Sequence, residues 1–264
     1  MPKLLMISAM YENGGNLTQR HFDGHPDLHV YPFEAQLGTA WSPETSGIPQ
    51  KFRWPVLPPE LTELNQLFAD TELRSRVEHA LQSKFKHIPF EFSMSQREKR
   101  MASLPHPLPL QRLVKVHFEA TFEAWQNHWN RGNEPQAWVG FSPMLALDAQ
   151  AFFRDMGPDG FMLHVRRDPE AAYRDTLRRP QPPAREDYMA QWRFIQEHAE
   201  QAKAAFPDRF FIVEFEAIFE HAARALAPVC RALGISADAA LETPSFNGER
   251  LPAAPPWGMV DAGR

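Results

Sequence analysis

Residues 3–34, KLLMISAMYENGGNLTQRHFDGHPDLHVYPFE, decide the reading of this chain. The apolar run Leu4-Leu5-Met6-Ile7 has strand length and suits a strand buried on both faces. A loop rich in glycine and asparagine follows, Glu12-Asn13-Gly14-Gly15-Asn16. A helix-length segment then runs from Leu17 to Gly24 and is closed by His25-Pro26. Strand, glycine loop and helix together form an anion cradle in α/β proteins. Glycine lets the backbone come close, and the free N–H groups of the helix start point at the charge. No lysine follows the glycines, so this is not a Walker A loop. A plain βα turn is the competing reading of the same residues.

The rest of the chain sets the frame. Its 264 residues can form one large α/β domain or two small ones. The hydrophobic share of 43% and charged share of 23% are those of an ordinary globular protein. A net charge of −5 argues against a general nucleic-acid or membrane-surface binder. No apolar run reaches the ~18 residues of a membrane helix, and the N-terminus does not read as a secretory signal. The lone Cys230 excludes a disulfide framework and reads as a buried thiol in an amphipathic helix. The expectation is a cytoplasmic chain. Its 25 prolines cluster at 43–59, 105–109, 180–183 and 252–256, which read as loops and linkers.

Further along, Leu28–Tyr31 reads as a second strand ending at Pro32-Phe33-Glu34. The irregular stretch 36–59, with Trp41 and Trp54, reads as a lid or binding loop. Helices are expected over Glu60–Asp70 and Thr71–Lys86. The charged run Gln96–Arg100 reads as a solvated face. A long amphipathic helix is expected over Leu110–Trp129 with its aromatic residues in the core. Strands are expected at Ala137–Phe141, Gly160–Val165 and Phe210–Phe215. Helices are expected at Leu145–Met156, Glu170–Arg178 (Asp168 as N-cap, Pro169 in the first turn), Ala184–Ala205 and Ala217–Leu233, the last stopped by Gly234. Strand and helix alternate. That pattern implies an α/β, three-layer fold with a central parallel sheet and helical insertions. Ligands in such folds sit at the carboxyl ends of the strands. The glycine loop and the Arg166-Arg167 pair after GFMLHV would then share that rim.

Four stretches carry a family resemblance. Asn13 to Pro26, ending in D-x-H-P, resembles the 5'-phosphosulfate loop of sulfotransferases that use 3'-phosphoadenosine 5'-phosphosulfate (PAPS). Phe161 to Pro169 resembles the family's 3'-phosphate motif, an apolar strand followed by R-[DN]-P. Phe211 to Glu216 resembles a later strand and turn, and Thr243 to Gly248 the C-terminal loop that closes over the nucleotide. The chain is similar to the bacterial and glycan-acting branch. The resemblance implies a P-loop-like single domain over 1–264. Residues 36–135 would be an insertion on the acceptor side, and 236–264 a C-terminal loop and tail.

The same resemblance implies transfer of a sulfuryl group to a hydroxyl or amine of a carbohydrate or small molecule, leaving adenosine 3',5'-bisphosphate, with no metal and no nucleic acid. Asn13, Gly14, Gly15, Asn16, Leu17 and Thr18 would hold the 5'-phosphate. Arg167 would hold the 3'-phosphate, with Arg166 in reserve because strand alternation lets only one of them face the site. Asn247, Gly248 and Arg250 would close over the nucleotide. Glu34 falls at the offset from His25 where the family carries its base, and His25 is the rival base.

Two positions depart from the family pattern. Glu12 stands where a Lys or Arg usually precedes the glycine loop. Asp175 stands where a Ser usually binds the 3'-phosphate, and a carboxylate there repels an anion unless it is turned away or neutralised. Either Arg20, Arg174 or Arg178 compensates, or the nucleotide differs, or the chain is a non-catalytic relative that binds a nucleotide or glycan. A P-loop kinase-like transferase is a third reading, disfavoured by the missing lysine. The cluster His21, Asp23, His25, Asp27 and His29 admits a metal site, but Pro26 interrupts the helix that would present it and no H-E-x-x-H occurs.

Overall fold

The computed structural model describes residues 2–37, 54–55, 68, 70–79, 85–104 and 108–251. The helix expected over 60–70, the lid around Trp41 and the proline-rich end from 252 lie outside the described residues. Five strands form one sheet: β1 (Lys3–Ala9), β2 (Leu28–Glu34), β3 (Ala137–Phe141), β4 (Gly160–Arg166) and β5 (Phe210–Glu214). Every pairing is parallel, and the order is β2-β3-β1-β4-β5. From β1 the chain goes to the outer position for β2, returns to insert β3 between them, then crosses over and adds β4 and β5 on the other side. The switch of direction therefore falls at β1, and the crevice beyond its carboxyl end is where a ligand fits such a sheet.

Alternation along β1 and β4 feeds two cores. Leu5, Ile7, Leu163 and Val165 face α1 (Gly15–Asp23) and α8 (Phe215–Leu233), meeting Phe22, Ile218, Leu226 and Val229. Leu4, Met6 and Met162 face the opposite layer, with Val116 and Phe118 of α4 (Leu110–Ala124) and Phe152 of α5 (Ala149–Met156). Burying each such side chain stabilises the fold by about 1.5–3 kcal/mol. The sheet is therefore covered on both faces, which explains the unbroken apolar strands. Cys230 is a free, buried thiol within α8.

Local rules set the helix ends. Asp168 accepts from the Ala171 N–H at 2.8 Å and Pro169 opens α6 (Pro169–Thr176). Gly234, in the left-handed region, stops α8. The long α7 (Arg185–Ala205) lies over η-turn residues 145–148 and β5. Two expectations fail here. The long helix ends at Ala124, because Trp125 turns to extended geometry to pack its ring against Phe90 and Phe246. And Arg97, in the run expected to be solvated, is buried in α3 (Met94–Ala102). Its guanidinium bonds Asp70 and His117, and its Nε donates to Thr121 at 3.2 Å. Asp70 stands at the start of α2 (Thr71–Glu78) without its side chain bonding the helix amides, and that side chain accepts instead from the Tyr31 hydroxyl at 2.8 Å.

Between Val30 and Glu34 β2 slips out of register with β3, and side chains take up its backbone groups there. Gln19 donates to the carbonyls of Tyr31 (2.9 Å) and Phe33 (3.1 Å), and Arg20 donates to Tyr31 O at 2.8 Å. Pro32 has no N–H to offer, and the Glu34 N–H donates to Glu72 at 3.2 Å.

Candidate functional site

The carboxyl end of β1 leads into Met10–Gly14. Glu12 has φ 61 and Gly14 φ 89, so the chain turns sharply through two left-handed residues. Helix α1 starts at Gly15, and its N-cap residue Gly14 has no side chain to cap it. Its first backbone bond runs from the Thr18 N–H to Gly14 O at 2.9 Å, and the Thr18 hydroxyl also donates to Gly14 O at 3.0 Å. The first-turn N–H groups of Gly15, Asn16 and Leu17 precede that bond and have no helical acceptor of their own. They carry the positive end of the helix dipole at the switch point of the sheet. Both glycines are required by crowding: a Cβ on Gly14 would lie 2.1 Å from the Phe215 ring, and one on Gly15 2.3 Å from the Phe141 ring.

Arg167 follows β4, the strand next to β1. Its Nη1 donates to Glu12 O at 2.8 Å and to Asp175 Oδ2 at 2.7 Å. The guanidinium stacks 4.8 Å from the centre of the Phe215 ring. So one aromatic ring, at the start of α8, touches both the glycine loop and the arginine. Arg167 and the loop stand on the same rim, as the alternation of strand and helix predicts. Arg166 turns away and pairs with Glu200 (2.7 Å) and Glu214.

The two acidic departures are both neutralised. Asp175 is shared by Arg167 and Arg178, the latter at 3.3 Å. Glu12 pairs with Arg179 at 3.0 Å, whose guanidinium lies 4.4 Å above the Tyr11 ring. Of the expected compensating residues, Arg178 takes part. Arg174 is exposed, and Arg20 is buried against Tyr31 and Asp23, where burial lowers its pKa to about 10. Arg179 was missed in the sequence. It lies beyond the end of α6, and only the fold brings it to residue 12.

On the β2 side, Asn16 Nδ2 donates to Glu34 Oε1 and Gln36 Nε2 to Glu34 Oε2, each at 3.3 Å. The Glu34 carboxylate is thus held beside the first turn of α1. Under the loop, Asn13 is buried and donates to Tyr11 O (3.0 Å) and to the Tyr188 hydroxyl (3.1 Å). Among the described residues its buried Oδ1 finds no partner. Burial pushes the Tyr188 phenol up to about 12, so that it stays protonated.

Four expected residues lie elsewhere. His25 sits past the far end of the nine-residue α1, about 13 Å along its axis. It is fully buried, with Nε2 3.0 Å from Ser236 O and Nδ1 accepting from the Asp27 N–H at 3.1 Å. Burial and these bonds make it a brace between α1 and the chain after α8. The hairpin β6 (Ser245–Phe246) and β7 (Glu249–Arg250) is also at that end. Gly248 N–H donates to Asp23 at 2.9 Å, and Asn247 bonds Trp129 N and Asn127 O, each at 2.9 Å. Arg250 is exposed on β7. Phe246 is fully buried among Phe33, Phe85 and Trp125 and anchors the hairpin there. The residues of the suspected metal cluster diverge: His21 Nδ1 lies 2.7 Å from Leu241 O, and His29 Nε2 3.1 Å from Asn130 O. Among the described residues, no group of three or more His, Cys, Asp or Glu is placed to hold a metal, and no helix is long and apolar enough to cross a membrane.

Neither a family model nor a curated protein matches the sequence. Among solved structures, the chain is similar to the sulfotransferase domain of the curacin biosynthetic pathway (TM-score 0.49, 13% identity, 92% of this chain and 78% of that one). It is also similar to the sulfotransferase domain of the Synechococcus PCC 7002 olefin synthase (0.45, 17%, 92% and 77%). A third is a sulfotransferase from Alicyclobacillus acidocaldarius (0.46, 14%, 90% and 83%).

Proposed function

We propose that this chain is a sulfotransferase. It moves a sulfuryl group from an adenosine 5'-phosphosulfate donor, the class to which PAPS belongs, to a hydroxyl or amine of a carbohydrate or small-molecule acceptor. One observation carries the reading: the uncapped start of α1 and the Arg167 guanidinium lie on one rim, both in contact with Phe215. An anion held by the first-turn amides gains from fixed dipoles that need no reorganisation. Charge on the bridging phosphate oxygen grows as sulfuryl leaves, which is where such dipoles act.

In the proposed step the acceptor oxygen or nitrogen forms a bond to sulfur while the bond from sulfur to the 5'-phosphate oxygen breaks. The electron pair of that bond stays on the phosphate. The acceptor's proton passes to Glu34, whose carboxylate is oriented by Asn16 and Gln36. The amides of Gly15, Asn16 and Leu17 hold the phosphate, and Gln36 and Glu72, which flank Glu34, lie on the acceptor side. Incubation of the purified chain with PAPS, or with its 3'-hydroxyl counterpart, and a panel of sugar and phenolic acceptors tests this. Release of the desulfated nucleotide together with a sulfated acceptor is expected. Absence of both products with both donors across the panel removes the reading.

A further inference from the structure

We propose that Asp175 sets the donor's ribose chemistry: the rim takes a nucleoside 5'-phosphosulfate whose 3'-position carries a hydroxyl group, not a phosphate. The inference rests on the reading that this rim holds the nucleotide.

The arginine that would grip a 3'-phosphate already has an anion. Asp175 Oδ2 accepts from Arg167 Nη1 at 2.7 Å, and its Oδ1 lies 3.3 Å from Arg178 Nη1. The guanidinium is fixed from two more sides, by Glu12 O at 2.8 Å and by the Phe215 ring. It has little freedom to swing toward a ligand and leave the carboxylate behind. Glu12 in turn occupies Arg179. Arg167, Arg178 and Arg179 against Glu12 and Asp175 leave a net charge of +1 (three minus two). A phosphate monoester brings close to two negative charges and would meet the Asp175 carboxylate at the same guanidinium. A ribose hydroxyl brings a donor, which a carboxylate accepts. Dinucleotide folds make the same exchange: an acidic side chain receives a ribose hydroxyl, and an arginine receives the phosphate that replaces it. The residues present therefore fit the 5'-phosphosulfate end of PAPS and do not fit its 3'-phosphate.

Calorimetric titration of the whole chain with adenosine 5'-monophosphate and adenosine 3',5'-bisphosphate tests the assignment. The wild type is expected to bind the monophosphate at least tenfold more tightly. Asp175→Ser, and Asp175→Asn as a variant of nearly the same shape, are expected to reverse that order. A wild type that prefers the bisphosphate overturns the inference and leaves the sulfotransferase reading standing. So does an order unchanged in folded variants, since Asp175 then decides nothing. If neither nucleotide binds any of the three proteins, the nucleotide reading of the rim falls and takes this inference with it.

Discussion

Arg167 donates to the backbone carbonyl of Glu12 at 2.8 Å. This bond ties the residue after β4 to the loop after β1, across 155 positions of sequence. It makes the loop and the arginine one rigid unit, so changes on either side register on the other.

Gly14 is the most exacting position in that unit. It has φ 89, and a Cβ there meets the Phe215 ring at 2.1 Å. Gly14→Ala therefore adds a strained backbone to an overpacked contact, a loss of about 2 kcal/mol or more. Chemical denaturation should show a lower midpoint, and nucleotide affinity should fall with it. Unchanged stability would mean that Phe215 moves freely away from the loop.

The two neighbouring arginines should behave differently. Arg166 is spent on exposed carboxylates, so Arg166→Ala should cost under about 1 kcal/mol and leave nucleotide affinity unchanged. Arg167→Ala unties the loop and strips Asp175 of its nearest cation. Calorimetry should show nucleotide affinity down by tenfold or more. Equal effects of the two variants would contradict the placement of the site on this rim.

Glu34→Gln keeps the shape of the side chain and removes the proposed base. Turnover should fall by about 10²- to 10⁴-fold with nucleotide affinity retained. If turnover persists, the proton goes elsewhere.

Stability should decline in acid. Burial holds His117 and His128 down to about 3 and His164 to about 4, against an ordinary value of 6.5. Between those values the unfolded chain binds protons that the folded chain refuses. Their contribution is complete above pH 6.5 and is lost as pH falls toward 4. His21 and His29 are lowered by burial too, so buried Asp23, whose pKa is raised, acts in the opposite sense as one group against five histidines. Thermal midpoints measured from pH 7 to pH 4.5 should therefore drop, and a flat profile would show that these rings are reached by water.

Much of this layout is legible in the residues. The apolar runs at Leu4, Ala137, Gly160 and Phe210 are strands because a sheet covered on both faces demands unbroken apolar side chains. Asp168-Pro169 announces a helix start by chemistry alone. Relations made only by the crossover escape such reading. Nothing local says that Phe215 will lie between Gly14 and Arg167, or that Arg179 will neutralise Glu12. Phe246 misleads for the same reason: its motif suggests a loop over the nucleotide, while the bonds of Ser245 and Gly248 to Asp23, each at 2.9 Å, hold the hairpin at the last turn of α1. Arg97 looks solvated because charged neighbours surround it in sequence, yet Asp70 waits for it in space.

The finish on β2 has a consequence beyond the fold. An outermost strand with bare carbonyls and amides is a template onto which another chain can hydrogen-bond. Here the Leu28 carbonyl accepts from Asn130 at 3.2 Å, Pro32 interrupts the row of amides, and Glu72 takes the Glu34 amide at 3.2 Å. A further strand joining that flank, whether by exchange between copies or by fibril seeding, would first have to displace Asn130 and Glu72.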